Sequence, residues 1–247
     1  MILLVDSGNS RLKWAPFNAY GEIEARVLIP DLDRFDAQLT AAWSVTDIPQ
    51  RVLVSTVSSE KVNRTIQTVS KELWGIDAEF VRSTQSLFGV TNGYDTPEKL
   101  GVDRWMAMLA AWKDYERETI VVDCGTAVTI DCLNGAGQHL GGLITPGVQM
   151  MQEVLGKNTS GIELSSRGQV GQWARNTDDA IVSGSVQSVV ALIERVVAQY
   201  KHELESEPVV VITGGDASCL LPYFRITIRH DHELVLKGLA LLSTGIE

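Results

Sequence analysis

Several things are scarce in this 247-residue sequence, and each scarcity narrows what the chain can be. Cysteine comes first. Cys124, Cys132 and Cys219 are odd in number and form no C-x-x-C pair, so neither a zinc site nor a disulfide framework is expected. A reducing, cytoplasmic setting is the default for such a chain. Cations come second. Lys and Arg total 21 against 31 Asp and Glu, a net charge of −10, which excludes the broad basic face that nucleic acid requires. A local basic pocket for an anion is compatible with that total. No run of about 18 apolar residues is visible, so no membrane span is expected. The chain opens directly into a strand, without a charged-then-apolar export leader. Two nucleotide signatures are also missing. No G-x-x-x-x-G-K-[ST] loop occurs, and no G-x-G-x-x-G opens a helix.

What the sequence does have is one pattern written twice. ILLVDSGNSRLKWA near the start and TIVVDCGTAVTIDC further on each run from aliphatic residues into an Asp, then a Gly, then a polar tip and more apolar residues. The aliphatic runs predict buried strands. Asp6 and Asp123, each two residues before a glycine, predict tight turns into a second strand. Gly8 and Gly125 let the backbone approach a ligand, and turn amides can face an anion. Two such hairpins predict two related half-domains with a cleft between them.

The rest of the chain supports a duplication. Strands are expected at 2–6, 11–17 and 22–29, a helix over 31–43, a strand over 51–56 and a helix over 59–73, with a further short strand at Phe80 and Val81. GVTNGYDT (89–96) reads as a loop. Thr96-Pro97 reads as a helix start, hydroxyl cap then proline, running to about Tyr115. The second set has strands near 119–123, 127–133 and 138–145, a helix from Pro146-Gly147 to about 155, and a polar loop over 156–175 long enough to be functional. A long helix from 177 to about 205, a strand over 209–213 ending in Gly214-Gly215, and a last helix over 231–242 complete it. The expected domains are 1–115 and 116–247.

Four places carry candidate chemistry. Asp6, Ser7, Gly8, Asn9, Ser10, Arg11, Leu12 and Lys13 form a tip whose amides, hydroxyls and cations suit a polyphosphate. In the second tip the Thr126 hydroxyl stands beside Gly125, and Asp6 and Asp123 could hold a hard cation, directly or through water. In TPEKLGVDRW, Gly101 appears to the eye as a helix-interior glycine, which costs about 1 kcal/mol and so implies a need for space. Next to it, Asp103 and Arg104 read either as a solvated ion pair or as a base and a carboxylate clamp. Gly214-Gly215 would let a flat ring lie against the backbone. Thr177 reads by itself as an N-cap, and His230 and His232 as surface residues.

The set DSGNSRLKW, TPEKLGVDRW, DCGTAVTID, GGLITPG, NTDDAI and ITGGDA, in that order, resembles the type III pantothenate kinases. That family sits in the acetate and sugar kinase/Hsp70/actin superfamily. The resemblance implies an α/β fold of duplicated ribonuclease H-like (actin-like ATPase) halves, mixed sheets with flanking helices and a central cleft. It implies transfer of the ATP γ-phosphoryl group to pantothenate, the first step of coenzyme A synthesis. Asp103 matches the family's base. Asp6 to Lys13 look like a phosphate loop, with Thr126 a further ATP contact. Tyr94, Gly101, Val102, Asp103, Arg104 and Thr177 match pantothenate contacts. Asp123 matches the ligand of a monovalent cation, K⁺ or NH₄⁺, with Mg²⁺ arriving on ATP. A homodimer with the substrate pocket near its interface is also implied, with no nucleic-acid or membrane partner. Ser10 departs from the family's commoner Thr but keeps the hydroxyl. Two other readings remain at this point: a kinase of another small alcohol or acid on the same fold, and a non-catalytic ATP-binding regulator.

Overall fold

The computed structural model describes residues 1–18, 23–158 and 168–243. The chain divides into two compact units, Met1–Asp114 joined by the segment from Glu233 onward, and Tyr115–His232. The sequence places a boundary at almost the same point, after 115, but assigns the last helix to the second half. The structure assigns it to the first.

In the first unit the order is β1 (Ile2–Ser7), β2 (Leu12–Phe17), β3 (Arg26–Leu28), α1 (Phe35–Trp43), β4 (Arg51–Thr56), α2 (Glu60–Trp74) and β5 (Ala78–Phe80). A small hairpin, β6 (Ser86–Leu87) and β7 (Val90–Thr91), follows, then a 3-10 turn (Pro97–Lys99) and α3 (Val102–Tyr115). The sheet order is β3-β2-β1-β4-β5. β1 pairs antiparallel with β2 and parallel with β4. Alternate residues of the central strands, Leu3 and Val5, Val52 and Val54, pack on Phe35, Leu39 and Trp43 of α1 and Val62, Ile66 and Val69 of α2. Trp43 and Trp74 stack at 5.3 Å. Leu4 and Leu53 point to the opposite face and are equally buried, which explains why these strands read as unbroken apolar runs.

The second unit runs β8 (Thr119–Cys124), β9 (Ala127–Leu133), β10 (His139–Pro146), α4 (Val148–Asn158), α5 (Thr177–Leu204), β11 (Val209–Thr213), α6 (Ala217–Leu220) and β12 (Arg229–His230). Its sheet order is β10-β9-β8-β11-β12, the same arrangement as the first. The final helix, α7 (Leu234–Ser243), packs against β1, β2 and β4 of the first unit. Gly238 of α7 touches α3 so closely that a Cβ there would lie 2.1 Å from the Met106 carbonyl oxygen.

Several local expectations are corrected. The first helix starts at Phe35 rather than 31, and Leu32 is exposed. The strand expected at 22–29 is seen over Arg26–Leu28, residue 22 lying outside the described residues. The GVTNGYDT segment begins inside a hairpin, because Val90 and Thr91 pair with Leu87 and Ser86. Thr96-Pro97 opens only the 3-10 turn, Thr96 makes no capping hydrogen bond, and Leu100 is extended before α3 begins. The polar segment 156–175 starts as the last turn of α4, and residues 159–167 lie outside the described residues. Residues 168–171 lie along α5, with the Gln169 and Gly171 amides donating to Asp179 Oδ1 (2.7 Å) and Ser183 Oγ (3.0 Å). By length and composition alone helix α5 could span a bilayer, with a mean hydropathy of 1.5 over its most apolar window. Val186, Val189, Val190, Ile193 and Val197 spend that apolarity on the core beneath β8 and β11. It is the core helix of its sheet.

Candidate active site

The first unit presents the β1–β2 tip. Ser7 and Leu12 are the last paired residues, so residues 8–11 make a four-residue tip, closed by the Gly8 amide donating to the Arg11 carbonyl at 3.0 Å. Asp6 and Lys13 face each other in the register and are half-buried, while Asn9, Ser10 and Arg11 are exposed. Two of the expected contacts are spoken for. Leu12 is core, and only its backbone can meet a ligand. Ser7 is buried, its Oγ 2.9 Å from Ser58 Oγ. Ser58, which the sequence reading missed, donates to the carbonyls of Gly8 (2.6 Å) and Ser7 (3.0 Å), so the Ser7 hydroxyl donates to Ser58. The end of β4 thus braces the tip from behind, as the parallel β1–β4 pairing requires.

The same unit carries Asp103. Gly101 stands just before α3, not inside a helix, and its carbonyl accepts the Trp105 amide at 3.0 Å. That makes it the N-cap residue. The space its missing side chain leaves is taken by Asp103: a Cβ on Gly101 would lie 2.7 Å from Asp103 Oδ1. From Val102 to Ala111 every residue is buried except Asp103. Its Oδ1 accepts the Arg104 amide at 2.8 Å, satisfying one of the amides that a helix start leaves without a partner. Arg104 is only 6 % exposed. Its Nη1 donates to Tyr94 Oη at 2.7 Å, and its guanidinium lies 5.5 Å from the Tyr94 ring centre. Tyr94, Gly101, Val102, Asp103 and Arg104 are therefore brought together.

In the second unit β8 and β9 are joined by a three-residue tip, 125–127, with the Gly125 amide on the Ala127 carbonyl at 3.0 Å. Thr126 is exposed and Asp123 half-buried. Two glycines hold this tip. A Cβ on Gly147 would lie 2.2 Å from the Gly125 carbonyl oxygen, and one on Gly214 would lie 2.3 Å from the Cys124 carbonyl oxygen and 2.4 Å from Asp123 Oδ1. Gly214, with φ at +95°, is thus required by the chain's own backbone. Asp216 adds an amide hydrogen bond to the Cys124 carbonyl at 2.9 Å. Thr177 lies apart from this tip, at the first turn of α5. The N-cap is Asn176, whose Oδ1 accepts the Asp179 amide at 2.9 Å, so the Thr177 hydroxyl is exposed and not used as a cap. It borders a groove of about 690 Å³ between α4 and α5 that Met151, Leu155 and Ile181 also line. His230 is in strand β12, its ring 3.8 Å from that of His232.

Among the described residues no three His, Cys, Asp or Glu side chains gather as a metal cage. A carboxylate such as Asp123 fits an ion that takes its other oxygens from water or phosphate.

The fold is shared with a Sinorhizobium meliloti protein assigned as a 2-dehydro-3-deoxygalactonokinase, at TM-score 0.58 and 12% identity over 98% of both chains. A Campylobacter jejuni protein assigned to the Baf family of transcriptional activators is similar at TM-score 0.62 and 21% identity, over 98% of this chain and 97% of that one. These likenesses define the fold class: an α/β protein with the fold of that sugar kinase. The sequence narrows it further. The profile of the type III pantothenate kinases matches residues 2–199, and the type III pantothenate kinase of Nitrosococcus oceani is 37% identical over 98% of this chain and 94% of its own length. The chain belongs to the type III pantothenate kinase family.

Proposed function

We propose that this protein phosphorylates pantothenate with ATP, giving 4'-phosphopantothenate in the first step of coenzyme A synthesis. Family membership supports the substrate. The observation that carries the mechanism is Asp103: one half-exposed carboxylate in the otherwise buried stretch Val102–Ala111, beside a tyrosine–arginine pair. Phosphoryl transfer passes through a loose transition state, so a protein contributes mostly positioning and charge. Asp103 takes the proton from the primary hydroxyl of pantothenate as the new O–P bond forms and the bond to ADP breaks. Arg104, with Tyr94 fixing its plane, suits the pantothenate carboxylate. Gly101 and Val102 offer backbone, and Thr177 a hydroxyl. The tip from Asp6 to Lys13 receives ATP phosphates through the backbone of Ser7, Asn9 and Leu12, the close approach that Gly8 allows, the Ser10 hydroxyl, and the charges of Arg11 and Lys13. Thr126 is a further ATP contact. Asp123 would hold K⁺ or NH₄⁺, and Mg²⁺ borne by ATP would offset phosphate charge.

Two further parts of this reading concern organisation. The matching strand orders of the two sheets support two ribonuclease H-like halves arising by duplication, at 1–115 and 116–247, with the last helix exchanged to the first. A cytoplasmic homodimer with the pantothenate pocket near the subunit interface completes it. A coupled assay of ADP release, with pantothenate and a panel of other small alcohols and acids, with and without K⁺, tests the function. Turnover that needs pantothenate and rises with K⁺ is expected. ATP binding without turnover on any acceptor would replace the kinase with a regulator.

A further inference from the structure

The Tyr94–Arg104 pair does not hold itself in place. Tyr94 lies in an irregular stretch between β7 and the 3-10 turn, where no ladder or helix fixes the backbone. The residue two before it is Asn92, a polar side chain only 4 % exposed. Every part of Asn92 is used. Its Oδ1 accepts the Tyr94 amide at 3.0 Å. Its Nδ2 donates to the Thr84 carbonyl and to the Pro97 carbonyl, each at 3.1 Å. Its own amide donates to the Gln85 carbonyl at 2.9 Å, closing the β6–β7 hairpin. One buried amide side chain therefore ties together the irregular segment before the hairpin, the backbone of Tyr94 and the turn that leads into α3. The hairpin is itself seated on α3, since Gly89 leaves space in which a Cβ would lie 2.9 Å from Trp112 Nε1. A second buried side chain makes a parallel tie: Ser83, 3 % exposed, donates to the Leu100 carbonyl at 2.8 Å, one residue before Gly101.

We infer that Asn92 is a positioning residue for the acceptor substrate, setting the height and direction of Tyr94 and, through the Tyr94 hydroxyl, the plane of the Arg104 guanidinium. This rests on the pantothenate reading above. The reason it must be an amide is stoichiometric. The site needs one acceptor, for an N–H, and two donors, for two carbonyls, and among side chains of that length only Asn supplies both. Asp has the same shape but only acceptors when ionised, so it would put oxygen against the Thr84 and Pro97 carbonyls. A buried carbonyl left without its donor is costly, and the segment relaxes to find water.

The test uses the full chain with Asn92→Asp and, as the variant that adds no charge, Asn92→Ala. For both we expect the KM for pantothenate to rise about 10- to 100-fold, the cost of one buried hydrogen bond unmade at the site, while the KM for ATP stays within about twofold. A merely structural weakening would lower the amount of active enzyme and leave both KM values alone. A double-mutant cycle adds the specific readout. Tyr94→Phe should raise the pantothenate KM in the native background and add little in the Asn92→Ala background, because the hydroxyl is already misplaced. Unchanged KM values in both variants, full additivity in the cycle, or failure of both variants to give a cooperative melt would each overturn the positioning role while leaving the kinase reading intact. If the native protein itself shows no turnover of pantothenate, the kinase reading fails and this inference falls with it.

Discussion

Replacing Gly214 with Ala puts a single carbon where the second tip and its carboxylate already sit. The new Cβ would fall 2.3 Å from the Cys124 carbonyl oxygen, 2.5 Å from the carbonyl carbon and 2.4 Å from Asp123 Oδ1. Contacts between nonbonded heavy atoms are comfortable at roughly 3.5 Å, so backbone and carboxylate must move by about 1 Å. Two costs arise. The φ of +95° is foreign to an L side chain, which adds about 1–2 kcal/mol, and overpacking adds about 1–3 kcal/mol. The sum, about 2–5 kcal/mol, lowers Tm by about 4–20 °C for a chain of this size and stays within the usual stability of a folded protein. The folded fraction would carry a displaced Asp123, so its turnover should lose K⁺ activation, as in Asp123→Ala. Thermal melting and a K⁺ titration of the coupled assay measure both effects. Gly184→Ala on α5 is the control, since nothing lies within 4 Å of its Cβ position and helix propensity predicts a gain of up to about 1 kcal/mol. A Gly214→Ala protein that melts with the native one and responds equally to K⁺ would refute the claim that this glycine is there to seat Asp123.

Asp103→Asn should lower kcat about 10²- to 10⁴-fold, the range for losing a general base, with ATP affinity nearly unchanged by calorimetry; near-native turnover would remove Asp103 from that role. Gly238→Ala should destabilise the protein by about 1–3 kcal/mol, because its Cβ would meet the Met106 carbonyl oxygen at 2.1 Å; an unshifted Tm would contradict the close α3–α7 contact. Stability should fall as pH rises above about 9, since burial, aided by the Asp131 carboxylate, pushes the Cys132 thiol up to about 12 from an ordinary 9.0. Unfolding then releases a proton in that range, at about 1.4 kcal/mol per pH unit for the thiol, so Cys132→Ala should flatten the alkaline fall in Tm.

Much of this was legible because burial on both sheet faces leaves a plain mark. Leu3-Leu4-Val5 and Ile120-Val121-Val122 are runs with no polar residue because α helices cover one face and more of the chain covers the other. The paired Asp-x-Gly tips then locate two hairpins in one register. What escaped was whatever depends on residues distant in sequence. Ser58 is a brace for Gly8 only because β4 runs parallel to β1. Gly214 reads as backbone open to a flat ring and Gly147 as part of a helix start, and nothing local says that the Cys124 to Thr126 backbone lies against them. Thr177 and Asn176 are both good caps by type, and only the geometry awards the cap to Asn176. Asn92 had a readable half: Asn two residues before an irregular Tyr suggests a side-chain turn. Its reach to Thr84 and Pro97 had none.

The two matching sheets also show how one hairpin can be put to two uses. In the first unit the tip has four residues, 8–11, ends in Arg11 with Lys13 two residues further on, and is braced from behind by serine hydroxyls. More amides and two cations make a site for anions. In the second the tip has three residues, 125–127, and no cation; a carboxylate at 123 and a hydroxyl at 126 stand at it, and Gly147 and Gly214 lie close against its backbone. That donor set favours a cation or a sugar hydroxyl over a phosphate. Tip length and side-chain charge, on strands whose pairing is otherwise the same, support the division of labour proposed for Asp6 to Lys13 and for Asp123 and Thr126.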